Sequence, residues 1–394
     1  MRVSSLNKFA ALCLAAVLAA GLTRPAFAQL GQVETVARQM ILIDADTDTV
    51  IFEKNADELM PPSSMSKLMT AFMVFEQLAA GKLRLDDMLP VSEKAWRIQG
   101  SKMFVPLGGR VKVEDLLRGV IIQSGNDACV VLAEGVAGTE ERFAEMMTDR
   151  ARALGLKNST FRNASGWPDP QHLTTARDLA ILAKQLIRHF PQYYHFYSEK
   201  EFTYGVDQVT RKPITQGNRN PLLYKDIGAD GLKTGHTDAA GYGLTASAKR
   251  SDRRLILVVN GLKSMNERSR ESERLLELGF SQFDNYKLFS AGAVVDEADI
   301  WLGDAARIPL IIDRNVTLTL PRQTKNNVKV TVSYDNPIPA PVVKGTPVAT
   351  LTVAGKDGPL LELPLVAGAD VQQLGFTGRI SAAVGYLLWG AKKQ

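Results

Sequence analysis

Ser64 stands three residues before Lys67 at the opening of a strongly apolar segment. On a helix that spacing puts both side chains on one face, so the hydroxyl and the amine can meet. A serine hydroxyl is a weak nucleophile at neutral pH and needs a neighbouring base. A lysine serves as that base only where burial or nearby positive charge lowers its pKa. Lys67, Leu68, Met69, Ala71, Phe72, Met73 and Phe75 predict a buried helix started by Pro62 and Ser63. A buried helix start supplies the low dielectric, and its backbone N–H groups favour a developing oxyanion. Ser66 points elsewhere on such a helix, which leaves it a structural part.

A single Ser-x-x-Lys is a weak signal, and Ser5 with Lys8 repeats it in the first residues of the chain. Two further words accompany Ser64. Ser124-Gly125-Asn126 falls where one helical pattern ends and another begins; alone it would read as a turn with a cap. Lys233-Thr234-Gly235 occurs once, at the start of a strand pattern, where a glycine alone would read as a strand irregularity. Around these words, residues 39–54 predict a β-hairpin turning through Asp44-Ala45-Asp46-Thr47-Asp48. Helical periodicity covers residues 113–122, 127–136, 140–154 and 175–190, the last capped by Thr174 or Thr175. Strands follow at residues 231–248 and 253–262, then a helix over about 267–286. From residue 293 to 375 short β patterns at 316–320, 328–333 and 348–353, separated by proline and glycine, predict a small all-β domain.

Ser-x-x-Lys, Ser-x-Asn and Lys-Thr-Gly, in that order on helix, loop and strand, form the signature of penicillin-binding proteins and class A β-lactamases. The flanking residues, Pro62-Ser63-Ser64-Met65-Ser66-Lys67-Leu68-Met69-Thr70 and Asp230-Gly231-Leu232-Lys233-Thr234-Gly235-His236-Thr237, resemble the low-molecular-mass penicillin-binding proteins, the serine D-alanyl-D-alanine carboxypeptidases of peptidase family S11. Thr175-Ala176-Arg177-Asp178 and Asp238-Ala239-Ala240-Gly241-Tyr242 resemble them too. The resemblance implies an α+β fold of the β-lactamase and penicillin-binding-protein transpeptidase type: an antiparallel sheet flanked by helices plus a helical lobe, a second, small all-β domain and a C-terminal amphipathic helix. It implies removal of the terminal D-alanine of peptidoglycan stem pentapeptides through an acyl-enzyme, with β-lactam antibiotics as covalent inhibitors. Ser64 would be acylated and Lys67 would be its base. Ser124 would shuttle a proton and Asn126 would hold the peptide. Lys233, Thr234, Gly235 and His236 would line the docking strand, and the N–H groups of Ser64 and His236 would form the oxyanion hole. Arg219 and Arg268 resemble substrate-region arginines of relatives, although arginines on a polar loop and at a helix start are ordinarily solvated.

A class A β-lactamase would add a glutamate that drives deacylation, and in residues 160–177 Asp169 is the only carboxylate. Endopeptidase or transpeptidase action would use the same residues and stays open. A non-catalytic wall-binding scaffold would have lost a signature residue, and none is missing. Arg2 and Lys8 precede an apolar run from residue 9 to 22 and an Ala26-Phe27-Ala28 cleavage site, so residues 1–28 read as a secretory signal. The expected organisation is then a catalytic domain over 29–288, the β domain over 289–375 and a tail over 376–394. The chain holds 47 basic and 42 acidic residues, but three basic residues lie in the first 28 and three in the last sixteen, with no acid in either stretch. The body is therefore near neutral, which argues for a membrane and against nucleic acid. In the tail, Phe376, Ile380, Val384, Leu387, Leu388 and Ala391 recur at helical spacing beside Arg379, Lys392 and Lys393. Such a helix is expected to lie in the interface and hold the protein on the periplasmic face of the inner membrane. Cys129 alone would survive processing, so no intrachain disulfide is expected. The four histidines show no metal-ligand spacing, and no metal or other cofactor is expected.

Overall fold

The computed structural model of the protein describes residues 33–207, 209–355, 358–380 and 384. The expected signal, residues 1–28, and most of the expected tail helix lie outside the described residues. Up to Tyr286, together with Leu318–Gln323, the described chain forms one compact unit; Lys287–Thr317 and the residues from Thr324 form another.

In chain order the first unit contains β1 (Gln39–Asp44), β2 (Val50–Lys54), a 3-10 turn (Ser63–Ser66), α1 (Lys67–Ala79), β3 (Met88–Pro90), α2 (Glu93–Arg97), β4 (Arg110–Lys112), α3 (Val113–Ile121), α4 (Asn126–Ala137), α5 (Glu140–Ala153) and α6 (Ala176–His189). It continues with β5 (Glu201–Val206), β6 (Pro213–Gly217), β7 (Ala229–Thr237), β8 (Gly241–Arg250), β9 (Arg253–Leu262) and α7 (Met265–Gln282). The main sheet runs β2-β1-β9-β8-β7, antiparallel throughout. Successive side chains of a strand point to opposite faces, so a sheet covered on both sides needs apolar residues at every position. Strand β9 shows this. Ile256 and Val258 join the core built with α1, α3, α4 and α6, while Leu255, Leu257 and Val259 pack with Leu275, Leu276 and Phe280 of α7. Helix α1 is buried from Lys67 to Phe75, which explains its apolar composition.

Local signals set the element ends. The Thr175 hydroxyl accepts the Asp178 N–H at 3.1 Å and caps α6. Ser264 accepts the Glu267 N–H at 3.1 Å while the Glu267 carboxylate takes the Lys263 N–H at 2.6 Å, a reciprocal cap for α7. One helix differs from its sequence expectation: α7 stops at Gln282, and residues expected to continue it to Tyr286 are already extended. The Phe283 ring leaves the helix to pack edge-on against Phe52 at 5.3 Å, and Arg253 Nη1 donates to the carbonyls of Gly279 at 3.2 Å and Phe283 at 2.7 Å. A guanidinium on the terminal carbonyls is a stop that periodicity does not carry.

The second unit is all-β among its strands. Its six-stranded sheet has the spatial order Lys329–Ser333, Pro347–Gly355, Gly358–Ala367, Arg307–Ile311, Val294–Trp301, Ile338–Pro339. Ile308, Leu310, Ile312, Leu351, Val353 and Leu365 are fully buried within this unit.

Arg253 also forms the interior ion pair of the first unit, with Nε 2.8 Å from Oδ2 of the fully buried Asp44. The other Asp44 oxygen accepts the N–H groups of Asp46 at 3.0 Å and Thr47 at 3.1 Å, which shapes the β1–β2 turn. Asp44→Ala would orphan the guanidinium, a change that costs about 3–5 kcal/mol. Chemical unfolding should show a loss of that size; a loss below about 1 kcal/mol would mean that water compensates Arg253.

Candidate active site

Ser64 sits inside the 3-10 turn and not in the α-helix itself, which begins only at Lys67. The tighter winding matters, because side chains three residues apart eclipse in a 3-10 turn. Lys67 Nζ accordingly donates to Ser64 Oγ at 3.1 Å. The same ammonium donates to Asn126 Oδ1 at 2.8 Å and to the Ser165 carbonyl at 2.6 Å. Its three acceptors are neutral, and Lys67 is 1% exposed. Burial therefore dominates and, against opposition from Cys129 and with smaller contributions from Arg219, which lowers it, and Asp127, which raises it, pushes the amine down from 10.5 to about 8. That value leaves a useful fraction of free base near neutral pH.

Each acceptor is held in place by its own element. Asn126 opens α4; its Nδ2 donates to the Gln99 carbonyl at 2.8 Å and its N–H to the Ser101 carbonyl at 2.7 Å. Next to it, the Asp127 carboxylate accepts the N–H groups of Met103, Phe104 and Val105 at 2.8–3.1 Å, so α4 fixes the loop across the cleft. Ser124 lies two residues earlier, in a left-handed conformation with φ 61°, and its buried hydroxyl makes no hydrogen bond among the described residues. Strained backbone at such a turn is held by its surroundings and is typical of functional positions.

Strand β7 closes the site from the other side. A Cβ on Gly235 would lie 2.9 Å from the Pro62 carbonyl oxygen and 3.2 Å from Ser63 Cβ, so the glycine of Lys-Thr-Gly lets the strand lie against the nucleophile turn. Gly166, with φ +80°, is tighter still: its Cβ would meet the Ser63 carbonyl at 1.8 Å. Lys233 and Thr234 are buried, and Lys233 Nζ donates to the Thr234 carbonyl at 3.2 Å. Burial, then the charges of Lys67 and Arg219, hold the Lys233 amine well below its ordinary value. An arriving carboxylate supplies the missing counter-charge and favours the ammonium. His236 is exposed and stacks on Tyr242, its cross-strand partner, with ring centres 3.9 Å apart.

The two arginines part company. Arg219 is exposed, with Nη1 donating to Ser101 Oγ at 2.7 Å. Arg268 is 5% exposed, against the ordinary behaviour of a helix-start arginine; burial lowers it to about 10, and its guanidinium lies 5.8 Å from the Tyr242 ring. It thus stands behind the His236–Tyr242 stack.

The loop over residues 163–172 carries parts that motif reading missed. The Ser165 carbonyl is one, and a backbone oxygen has no sequence signature. His172 is another: its Nδ1 accepts the Arg162 N–H at 3.3 Å, which leaves Nε2 to donate to Ser66 Oγ at 2.8 Å. Burial lowers this histidine to about 4, so it is a neutral strut beside the base. A cleft of ≈ 690 Å³ runs between this loop, the Gly100–Ser101 segment and the end of β7, with Ser64, Asn126 and His236 in its lining. Among the described residues there is no group of three or more His, Cys, Asp or Glu side chains placed to hold a metal.

Comparison with known proteins agrees with this geometry. Residues 26–264 match the family model for D-alanyl-D-alanine carboxypeptidase, and residues 283–373 match the model for the penicillin-binding protein 5 C-terminal domain. The chain is 40% identical over 352 residues to D-alanyl-D-alanine carboxypeptidase DacC of Escherichia coli K12, covering 87% of this chain and 86% of that protein. Its fold superposes on penicillin binding protein 5 of Haemophilus influenzae with a TM-score of 0.78 and 36% identity, covering 86% of this chain and 99% of that one. Penicillin-binding protein D2 of Listeria monocytogenes, solved in an ampicillin-bound form, superposes with a TM-score of 0.56 and 30% identity over 63% of this chain and 99% of that one. A serine at the cleft paired with a buried lysine, between α4 and a Lys-Thr-Gly strand, on a chain matched along nearly all its length, places this protein in the D-alanyl-D-alanine carboxypeptidase family.

Proposed function

We propose that the protein is a serine-type D-alanyl-D-alanine carboxypeptidase that acts on peptidoglycan stem pentapeptides, with Ser64 as the acylated residue. The observation that carries this reading is the 3.1 Å contact between Ser64 Oγ and a lysine amine lowered to about 8. Neutral Lys67 takes the Ser64 proton as Oγ bonds to the carbonyl carbon of the penultimate D-alanine. The N–H groups of Ser64 and His236 receive the oxyanion. As the tetrahedral intermediate collapses, the C–N bond breaks and the departing D-alanine nitrogen takes a proton relayed from Lys67 through the Ser124 hydroxyl. Water then attacks the ester, gives its proton back along the same route and frees Ser64. Lys233 and Thr234 receive the terminal carboxylate, with Arg219 adding positive field and Arg268 holding the His236–Tyr242 stack. A β-lactam offers the same carboxylate and a strained amide, but its leaving nitrogen stays tethered to the acyl group, so the adduct persists.

Ser64→Ala should abolish both D-alanine release from a pentapeptide and covalent labelling by penicillin, with mass spectrometry of the wild-type adduct placing it on Ser64. A label that persists, or that appears on Ser66, would overturn the assignment.

Residues 1–28 act in this reading as a secretory signal, and the enzyme works on the periplasmic face of the inner membrane. Support for attachment comes from the part of the tail that the structure describes, where Phe376, Ile380 and Val384, spaced four apart on helical residues, are 73%, 50% and 47% exposed. No helix among the described residues is long and apolar enough to cross a membrane. The apolar stripe and the three basic residues of the tail support attachment in the interface. Deleting residues 377–394 should move active enzyme from the membrane fraction to the soluble periplasmic fraction; a truncated enzyme that still sediments with membranes would refute the anchor.

A further inference from the structure

The charge of the catalytic cleft is divided. Beside Ser64 the buried basic side chains are Lys67 and Lys233, whereas the acidic or basic side chains that line the open cleft, histidines aside, are the exposed Asp169 and Asp238 among the described residues. Asp169 belongs to a stiff wall. Asn163 Oδ1 accepts the N–H groups of Ser165, Gly166 and Trp167 at 3.2, 2.8 and 2.9 Å, and Asn163 Nδ2 donates back to the Trp167 carbonyl at 2.9 Å. Pro168 and Pro170 flank Asp169, whose Oδ1 accepts the Gln171 N–H at 2.7 Å, and a carboxylate keeps acceptor capacity beyond one such bond. The same loop offers Lys67 the Ser165 carbonyl, so the wall and the base are fixed relative to each other. Across the cleft, a Cβ on Gly100 would come within 3.0 Å of Trp167 Cζ3. Glycine at that position lets the indole, half exposed in the cleft, reach the opposite wall.

We propose that Trp167 and Asp169 form a subsite for a side chain with an aliphatic stem and a terminal ammonium, carried by the residue that precedes the terminal D-alanyl-D-alanine of the substrate. The inference rests on Ser64 as the nucleophile. With the substrate carboxylate drawn to Lys233 and the scissile carbonyl at Ser64, the preceding residue continues along the cleft away from Lys233. Methylene groups lie on the indole face, and the ammonium meets the Asp169 carboxylate and the ring quadrupole. The cleft is then complementary to a peptide that is negative at its end and positive a short distance inward, which orients the chain before chemistry. Because Asp169 is exposed, the gain is modest. An open ion pair together with a cation over an aromatic ring gives a preference of about fivefold, and salt weakens it.

Steady-state kinetics on Nα-acetyl-Xaa-D-Ala-D-Ala, with Xaa either lysine or norleucine, tests this, since the two differ only in the ammonium. Wild-type enzyme should prefer lysine by about fivefold in kcat/KM, chiefly through KM, with the ratio falling as salt is raised. Asp169→Asn should bring the ratio to about one, Asp238→Asn should keep it, and Trp167→Ala should raise KM for both peptides. A wild-type ratio of one, a ratio that survives Asp169→Asn, or one that is lost instead in Asp238→Asn would overturn the subsite. Penicillin labelling separates the two levels of failure. An adduct on a residue other than Ser64 defeats the nucleophile assignment, whereas a Ser64 adduct with a ratio of one defeats the subsite alone.

Discussion

The site depends on a lysine ammonium that has lost its water and received only neutral acceptors in return. Moving the Lys67 amine from 10.5 to about 8 corresponds to about 3 kcal/mol against the charged form. The sign follows from the folded value lying below the unfolded one. Through neutral pH the fold carries that cost in full, and it is relieved as pH rises from about 8 towards 10.5 and the unfolded chain binds more protons than the folded one. A carboxylate in place of the Asn126 amide would favour the ammonium and restore an ordinary lysine. The structure gives up stability here and gains a base, a common exchange at active sites.

Keeping water out while leaving Ser64 reachable takes several elements at once. Helix α1 buries the lysine stem, α4 presents the Asn126 amide, the loop over residues 163–172 offers a carbonyl, and β7 seals the far side with a strand that only glycine allows so close. The two-sided core of β9 explains why these elements hold their places. With apolar residues packed on both faces, a slip of one residue would exchange the two sets and mismatch each against the helices that cover it. Hence the precision at Ser64 is inherited from packing well away from it.

Much of this was legible in the sequence, and for identifiable reasons. Helices α3 to α6 follow the apolar pattern to within a residue or two, because α3, α5 and α6 each bury a face, while α4 is an apolar run buried all round from Asn126 to Ala133. The Ser64–Lys67 pair, the turn that carries Asn126 and the strand of Lys233 were readable because their chemistry resides in side chains of distinctive type. Other parts had no such mark. The Ser165 contribution is a backbone oxygen, the end of α7 is set by a guanidinium thirty residues away in sequence, and Arg268 looks like any exposed helix-start arginine until β8 places Tyr242 beside it. Trp167, Asn163 and Gly100 acquire meaning only when the two walls of the cleft come together. That approach is a tertiary event, invisible to any local window.

The central claim is that burial makes Lys67 a free base within reach of neutral pH, and the most direct check is to watch that amine titrate. Selective ¹⁵N labelling of lysine, with the Lys67 resonance assigned through Lys67→Arg, allows the Nζ signal of the uninhibited enzyme to be followed between pH 6 and pH 11. The account requires a midpoint near 8. A midpoint at or above the ordinary lysine value would mean that Lys67 remains an ammonium where the enzyme works, and that some other group takes the proton from Ser64.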